Sequence, residues 1–470
     1  MIDQQDIINH GLNGEGSAES VGHEVQQTFS AVRGSSDFSN NQNLMEKIAS
    51  MGNLKNAFKR VKRNKGAPGI DRVTISTFEQ NLDANIEDIA AKLLSMQFKP
   101  LPVRGVNIPK NDGDKRLLGI PVVADRIAQQ AIAQVISPII DPTFSESSYG
   151  FRPKRSAAMA LKQAKEHVAE GRKWVVDIDI EKFFDRVNHD VLMDRIAKRI
   201  QDKRLLKLIR KFLTAGLMQN GICSKREEGT PQGGPLSPLL SNILLDDLDK
   251  ELERRGHKFC RYADDCNIYV YSEKAGRRVM SSITNFLHKR LKLKVNKSKS
   301  AVDTVMHRKF LGYRIQNHAT LSIAPESLKR AKDKVRKLSK RNRGVSLERV
   351  IKELNTMLRG WFHYFKWAEA KSLFRSLDAW IRRRIRCYRL KQRKRKYSIM
   401  TFLRAQGASQ QNSWRLAASD KGWWSKALNP VAHTTLTKKV LKRLGLISLS
   451  ELFDKHRTET AVCDIACTVV

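Results

Sequence analysis

Two short apolar segments separated by only three residues constrain the fold of this chain more than any other feature. FCRY (259–262) and CNIYVYS (266–272) have the β-branched and aromatic residues typical of strands, and Ala263-Asp264-Asp265 lies between them. A connection this short joins antiparallel strands, so the segment predicts a β-hairpin. Its tip carries two adjacent carboxylates, and at a tight turn both can reach one site.

A second acidic cluster ends another predicted strand. WVVDIDI (174–180) is short and rich in β-branched residues, and Asp177 and Asp179 alternate on one of its faces. If this strand neighbours the hairpin, three carboxylates can converge. A two-metal phosphoryl-transfer site needs such oxygen ligands around two Mg²⁺ ions, about 3.5–4 Å apart. The alternative is that these acidic pairs are simply solvated.

The remaining pattern mixes strands and helices without a regular βαβ repeat, which predicts an α+β fold. Helices are expected over 44–66 and 75–96, the second with Ser76 as N-cap. A hairpin is expected over 103–121 and a strand over 309–315.

The net charge restricts the partners. Lys and Arg number 87 against 48 Asp and Glu, a formal net charge of +39. A globular protein this basic is expected to bind a polyanion, with nucleic acid the leading candidate. No apolar run approaches the roughly 18–20 residues of a membrane span, and the first residues lack the order of a signal peptide. The six scattered cysteines form no C-x-x-C pair and predict reduced thiols in a cytosolic protein.

Charge is unevenly distributed along the chain. Residues 1–45 carry six acids and a single base, Arg33, and are predicted to form a disordered acidic tail. Between Lys329 and Lys396, 25 Lys and Arg face five Asp and Glu, interrupted by aromatic residues. Basic helices with interleaved aromatics suit structured RNA, although core packing is the better expectation for any single ring.

Three further patterns indicate nucleotide chemistry. Phe184 lies five residues after Asp179, where a bulky ring can exclude a 2′-hydroxyl; Phe183 is the alternative for this role. The segment GTPQGGPLSP (229–238) is a constrained turn before a helix, and its small residues let a backbone approach a nucleotide closely. Lys110 and Arg116 lie on opposite arms of the 103–121 hairpin and could clamp a triphosphate.

Taken in order, RLLGIP, SYGFRP, DIEKFFD, TPQGGPLSP, RYADD, VNKSKS and FLGYRI resemble the reverse transcriptases encoded by bacterial group II introns. The resemblance runs from about residue 46 to about 455. It implies a right-hand polymerase of fingers, palm and thumb, with an antiparallel palm sheet. The palm and fingers would span 46–317, a basic helical thumb or maturase domain 318–399, a DNA-binding domain 400–456 and a tail 457–470.

The resemblance also implies roles for individual residues. Asp179, Asp264 and Asp265 become the metal-binding triad for two Mg²⁺ ions, whereas Asp177 has no catalytic counterpart and is expected to be structural. The remaining assignments are dNTP contacts by Lys110, Arg116, Phe184 and Gln232, a general acid at Lys299, and a primer grip at Phe310, Leu311, Gly312 and Tyr313. RNA contacts are expected from the arginine cluster Arg382, Arg383 and Arg384.

The expected function is therefore RNA-directed DNA synthesis by a protein that binds its intron RNA, assists splicing and copies the intron into target DNA from a primer, using dNTPs. The expected location is a cytoplasmic, nucleoid-associated ribonucleoprotein. Cys463 and Cys467 have no second cysteine pair, so no His-Asn-His endonuclease is expected. The rival interpretations are a domesticated relative in DNA repair or phage defence, a non-catalytic splicing factor and a DNA-packaging protein.

Overall fold

The computed structural model describes residues 43–109, 115–219, 222–230 and 233–468, with only the backbone described for 115–116 and 461–468. It divides into two compact units between Arg308 and Lys309. The predicted boundary between palm and thumb lies nine residues later, at 317–318. The acidic segment 1–42 lies outside the described residues, and the first described helix begins at Leu44.

The first unit contains ten α-helices among its described residues. They are α1 (Leu44–Ala49), α2 (Met51–Arg63), α3 (Ile75–Gln80), α4 (Leu82–Leu94), α5 (Val123–Ile140), α6 (Ala157–Ala169), α7 (His189–Ala197), α8 (Lys203–Thr214), α9 (Ser237–Arg254) and α10 (Glu273–Leu291). The apolar faces of nine of these helices, all except α6, share one core, which also contains the fully buried Val176, Ile178 and Ile268 of the strands described next.

Eight strands of this unit form two sheets. They are β1 (Val103–Pro109), β2 (Lys115–Ile120), β3 (Trp174–Asp179), β4 (Leu217–Gln219), β5 (Ile222–Ser224), β6 (Lys258–Tyr262), β7 (Asp265–Val270) and β8 (Ala301–Thr304). One sheet has the order β2-β1-β4-β5, with β1 and β4 parallel. The other has the order β6-β7-β3-β8, and its neighbouring strands are all antiparallel. This second sheet is the antiparallel palm sheet that was predicted. The mixture of helices and largely antiparallel strands confirms the predicted α+β class.

The second unit is mainly helical. Its strands β9 (Tyr313–Ile315) and β10 (Leu321–Ile323) pair antiparallel. Its helices are α11 (Pro325–Leu338), α12 (Leu347–Phe365), α13 (Lys371–Gln392), α14 (Lys396–Ala405), α15 (Gln410–Ala418), α16 (Trp423–Lys426), α17 (Pro430–Thr435), α18 (Lys438–Arg443) and α19 (Leu449–Thr468). Helix α19 continues past residue 456, so the segment predicted as a tail from 457 is helical as far as Thr468.

Two helix predictions need correction. The expected helix 44–66 is two helices, because Ser50 has extended backbone and its side chain accepts a hydrogen bond from the Asn53 N–H of α2. The predicted N-cap Ser76 is wrong. Thr74 caps α3, with its Oγ1 3.1 Å from the Thr77 nitrogen, and the helical segment is interrupted again at Asn81.

The segment 309–315 is not one continuous strand. Phe310 and Tyr313 exchange backbone hydrogen bonds of 2.9 and 3.0 Å, which closes a tight turn over Leu311 and Gly312. Both turn residues have positive φ, 51° and 79°. Only Tyr313–Ile315 belongs to a strand, because a chain that reverses here cannot stay extended.

Candidate active site

The palm sheet brings the two acidic clusters to one end of neighbouring strands. In the β3–β7 ladder Asp179 lies directly opposite Asp265, and Asp177 lies opposite Asn267. Asp264 belongs to the two-residue turn between β6 and β7, which the pair Tyr262–Asp265 closes. Residues 179, 264 and 265 are each partly buried. The two acidic strands are therefore neighbours, which is the condition under which their carboxylates could converge.

Two carboxylates placed directly opposite each other repel, since Cβ atoms of such a pair are about 4.5–5.5 Å apart. A divalent cation between them would offset that repulsion, and an all-oxygen donor set suits Mg²⁺. In the described part of the chain, however, no three His, Cys, Asp or Glu side chains are grouped so that they could hold a metal ion. The register supports a site at Asp179 and Asp265, and the side chains do not form a three-carboxylate cluster.

The end of β3 is held by the segment 296–300. The Asn296 N–H donates to the Asp179 carbonyl at 2.8 Å, and the Asp179 N–H donates to Ser300 Oγ at 2.9 Å. Lys299, the predicted general acid, is exposed on this segment. The sequence did not indicate that Asn296 and Ser300 hold the backbone of Asp179, although both lie in the VNKSKS pattern.

Asp177 forms an ion pair within the same unit. Its Oδ2 accepts a hydrogen bond from Arg308 Nε at 2.9 Å, and the Arg308 Nη2 also donates to the Lys299 carbonyl at 2.6 Å. The guanidinium therefore ties β3 to the segment that carries Lys299. These contacts fit the structural role expected for Asp177.

A fully buried arginine lies beneath the acidic turn. Arg261, on β6, pairs with Asp249 of α9, and both side chains are 0% exposed. Burial disfavours the charged guanidinium, but the Asp249 carboxylate outweighs this effect and raises the pKa of Arg261. Burial raises the pKa of Asp249, against the opposing influence of Arg261. The RYADD pattern contains this arginine, yet nothing in the sequence indicates its partner twelve residues away.

The segment with the predicted sugar gate contacts the glycine-rich turn. Thr230 N–H donates to the Phe184 carbonyl at 2.6 Å, and Gly229 N–H donates to the Val187 carbonyl at 2.8 Å. Gly229 has a φ of +86°, and a Cβ there would lie 2.8 Å from the Phe184 carbonyl oxygen. Phe183 and Phe184 are both buried, at 2% and 8% exposure.

The hairpin formed by β1 and β2 meets the same turn. A Cβ at Gly233 would lie 2.8 Å from the Gly119 carbonyl oxygen of β2, so the two backbones touch. Arg116 pairs with Ile108 in the hairpin ladder and is described by its backbone alone. Lys110 and Gln232 lie outside the described residues. The hairpin, the Phe184 segment and the glycine-rich turn are therefore adjacent, and their dNTP contacts remain predictions.

The predicted primer grip lies in the second unit. Phe310 and Tyr313 are buried, at 2% and 1% exposure, and anchor the turn between them. The Tyr364 hydroxyl donates to the Leu311 carbonyl at 2.9 Å. A Cβ at Gly312 would lie 3.0 Å from Ser327 Oγ, which explains the glycine. The residues form one hydrogen-bonded turn, and their contact with a primer remains a prediction.

Two of the three arginines predicted to bind RNA support the fold of the second unit. The Arg383 guanidinium lies 3.9 Å from the centre of the Trp424 ring and its Nη2 donates to the Trp424 carbonyl at 3.0 Å. Arg384 Nε donates to Ser339 Oγ at 2.6 Å, and burial lowers the pKa of Arg384. All three arginines remain partly exposed, so RNA contact is still a prediction for them.

Comparison with protein families assigns both units. Residues 108–315 match the family described as reverse transcriptase (RNA-dependent DNA polymerase). Residues 328–405 match the family described as the group II intron, maturase-specific domain. In the described ranges, no helix is both long enough and apolar enough to cross a membrane.

The chain is also similar to individual proteins and to part of one solved complex. The chain is 34% identical to the protein YkfC of Escherichia coli (strain K12) over 294 residues, which cover 54% of this chain and 77% of YkfC. It is 39% identical to the group II intron-encoded protein LtrA of Lactococcus lactis subsp. cremoris over 208 residues, but these span only 34% of LtrA. A solved partial Cas6-RT-Cas1–Cas2 complex is 26% identical over 53% of this chain, with a TM-score of 0.35.

The two family matches define an RNA-directed DNA polymerase with a maturase domain. More closely, the chain belongs to the family of group II intron-encoded reverse transcriptases. The predicted family and enzyme class are therefore confirmed.

Proposed function

We propose that this protein binds its own group II intron RNA, assists its splicing and copies the intron into DNA during retrohoming, by two-metal nucleotidyl transfer. The observation that carries the chemistry is the register of the palm sheet, which sets Asp179 opposite Asp265 beside the turn residue Asp264. The match of residues 328–405 to the maturase-specific domain supports intron RNA as the partner.

Asp179, Asp264 and Asp265 would hold two Mg²⁺ ions after their side chains, which form no three-carboxylate cluster in the structure, turn toward one another. When bound, the ions would activate the primer hydroxyl and stabilise the leaving pyrophosphate. The chain's own residues hold the geometry: Asn296 and Ser300 fix the backbone of Asp179, and the ladder fixes Asp265 against it. The contacts of Phe184 with the glycine-rich turn would form one wall of the dNTP site.

The test separates chemistry from RNA binding. Asp264→Asn removes a charged metal ligand with almost no change of shape, so primer extension on an RNA template should fall by about three orders of magnitude or more. Affinity for the intron RNA should change less than twofold. Asp88→Asn, an exposed carboxylate on α4, is the matched control and should extend at the parent rate.

A rate near that of the parent in Asp264→Asn would refute the triad. The splicing role is tested separately, by adding the protein to a transcript of the RNA that surrounds its reading frame. Acceleration of splicing by both the parent and Asp264→Asn would support the maturase role. Its absence in both would favour a domesticated enzyme.

A further inference from the structure

The strongest unassigned feature is the bonding of Arg261. A guanidinium has five N–H donors in a fixed plane, and it is rarely buried unless these are satisfied. Here Nε and Nη2 donate to the two Asp249 carboxylate oxygens, at 2.7 and 2.6 Å. Nη1 donates to Asn242 Oδ1 and to the Ala263 carbonyl, at 2.9 and 2.8 Å, and Nη2 also donates to Ser148 Oγ at 2.7 Å. All five donors are therefore used.

One of these acceptors belongs to the acidic turn itself. Ala263 precedes Asp264 and has a φ of +58°, a backbone conformation that residues other than glycine rarely adopt. Its carbonyl oxygen is fixed by Arg261, two residues earlier on β6. The hydrogen bond from Arg261, on strand β6, thus holds Ala263 in its left-handed conformation.

A second support meets the turn from the SYGFRP segment. A Cβ at Gly150 would lie 2.2 Å from the Ala263 nitrogen, so the two backbones are in direct contact. The side-chain amide of Asn242 donates through Nδ2 to the Gly150 carbonyl, at 2.8 Å. Its Oδ1 accepts the hydrogen bond from Arg261 Nη1. Asn242 therefore connects both supports of the turn.

We propose that Arg261 is a positioning residue for catalysis: with Asp249 and Asn242 it fixes the Ala263–Asp264 turn, and so the place of the Asp264 and Asp265 carboxylates relative to Asp179. A buried ion pair is weak evidence for stability, because well-packed apolar residues of similar volume often replace it at no loss. What apolar residues cannot reproduce is the hydrogen bond to the Ala263 carbonyl. The inference rests on the proposed function, since it assumes that the turn carries metal ligands.

The experiment compares two ion pairs whose carboxylates are buried on α9. Arg261→Met combined with Asp249→Leu removes the support of the turn. Arg199→Met combined with Asp246→Leu is the control, because Asp246 is as buried as Asp249 and lies three residues from it, although it pairs with Lys250 as well as with the 16% exposed Arg199. Arg261→Lys keeps the charge but loses the planar donors. Asn242→Leu leaves the ion pair intact and serves if the other variants fail to fold.

The Arg261 variants should lower kcat for dNTP addition about 100-fold, the loss typical of a displacement of about 1 Å in a catalytic group. The Mg²⁺ concentration for half-maximal rate should rise, with KM for the primer–template unchanged. Asn242→Leu should show the same pattern to a smaller degree. The control pair should match the double variant in thermal unfolding but keep the parent's kcat and Mg²⁺ dependence.

A purely structural role would lower the amount of folded enzyme and leave the Mg²⁺ dependence of the remainder unchanged. That result, or a parent kcat in folded Arg261→Lys and Asn242→Leu, overturns the inference. Asp264→Asn is measured in parallel. If Asp264→Asn is inactive while Arg261→Lys and Asn242→Leu are active, only the positioning role fails. If Asp264→Asn is active, the proposed triad itself is wrong.

Discussion

At the scale of single residues, Phe183 and Phe184 both belong to the core and differ slightly in exposure. The rings meet edge to face with centroids 5.2 Å apart, but Phe183 is 2% exposed and Phe184 is 8% exposed. The carbonyl of Phe184 also contacts the glycine-rich turn through Thr230. Phe184 is therefore the better candidate for the wall under the sugar, and Phe183 for the core.

Phe184→Val should weaken discrimination against ribonucleotides by about 10- to 100-fold, since the smaller side chain leaves room for a 2′-hydroxyl. The measurement is the ratio of kcat/KM for dNTP and rNTP on one template. Phe183→Val is the matched control and should mainly lower the unfolding temperature. If Phe183→Val relaxes the ratio instead, the gate is Phe183.

Asp125 predicts a pH dependence of stability. It is 3% exposed on α5, its Oδ2 accepts from the Leu101 N–H at 3.0 Å, and burial raises its pKa to about 7. The folded form keeps a proton that the unfolded form has released, so its contribution to stability is present below about pH 4 and is lost as the pH rises through 7.

Asp125→Asn keeps a hydrogen-bond acceptor and cannot ionise. Its free energy of unfolding should rise relative to the parent by up to about 1.4 kcal/mol per pH unit between roughly pH 4 and 7, and level off above. Urea unfolding at several pH values measures this difference. A flat profile for Asp125→Asn would mean that the carboxyl is solvated or already charged.

At the scale of elements, the turn over Leu311 and Gly312 gives a test of backbone strain. Gly312 has a φ of +79°, and an added Cβ would crowd Ser327 Oγ and Phe365 Cζ, at 3.0 and 3.3 Å. Gly312→Ala should lower the free energy of unfolding by about 1–2 kcal/mol. Gly52→Ala on α2, where nothing lies within 4 Å, should instead raise it by up to about 1 kcal/mol. Equal effects in thermal unfolding would contradict the strain.

Strands and helices with a strong local pattern could be predicted from the sequence. Boundaries and turns that depend on one or two specific hydrogen bonds could not. The strand at 174–179 and the hairpin around Ala263 follow from β-branched residues and a short connection. The sequence could not distinguish Thr74 from Ser76 as a cap, because both hydroxyls are chemically suitable. The run at 309–315 has the composition of a strand, yet the Phe310–Tyr313 bonds reverse the chain within it.

At the scale of the whole molecule, the site depends on contacts between distant parts of the sequence. Ser148 lies 113 residues before Arg261, and Ser300 lies 121 residues after Asp179. Local pattern indicated candidate carboxylates, because Asp179 ends β3 and Asp264 and Asp265 lie at the turn between β6 and β7. It could not indicate which buried residues hold them, since such partners are set by the packing of α9 and the 145–152 segment on the sheet.

The charge of the maturase region gives the last prediction. Arg382 and Arg384 are both partly exposed on α13, and Arg384 donates to Ser339 Oγ and to two backbone carbonyls. If Arg382 contacts a phosphate, Arg382→Gln should make the slope of log affinity for intron RNA against log salt shallower by about 0.7–0.9, without changing the unfolding temperature.

Two controls give this result its meaning. Arg384→Gln should lower the unfolding temperature, because the shorter amide cannot reach all three acceptors. Arg277→Gln removes an exposed charge from α10, outside the residues that match the maturase domain, and should change neither the slope nor the stability. The same slope in Arg382→Gln and Arg277→Gln would exclude Arg382 from the RNA interface. An equally shallower salt slope in Arg382→Gln, Arg384→Gln and Arg277→Gln would mean that net charge rather than a defined contact governs RNA binding. The formal charge of +39 is consistent with that outcome.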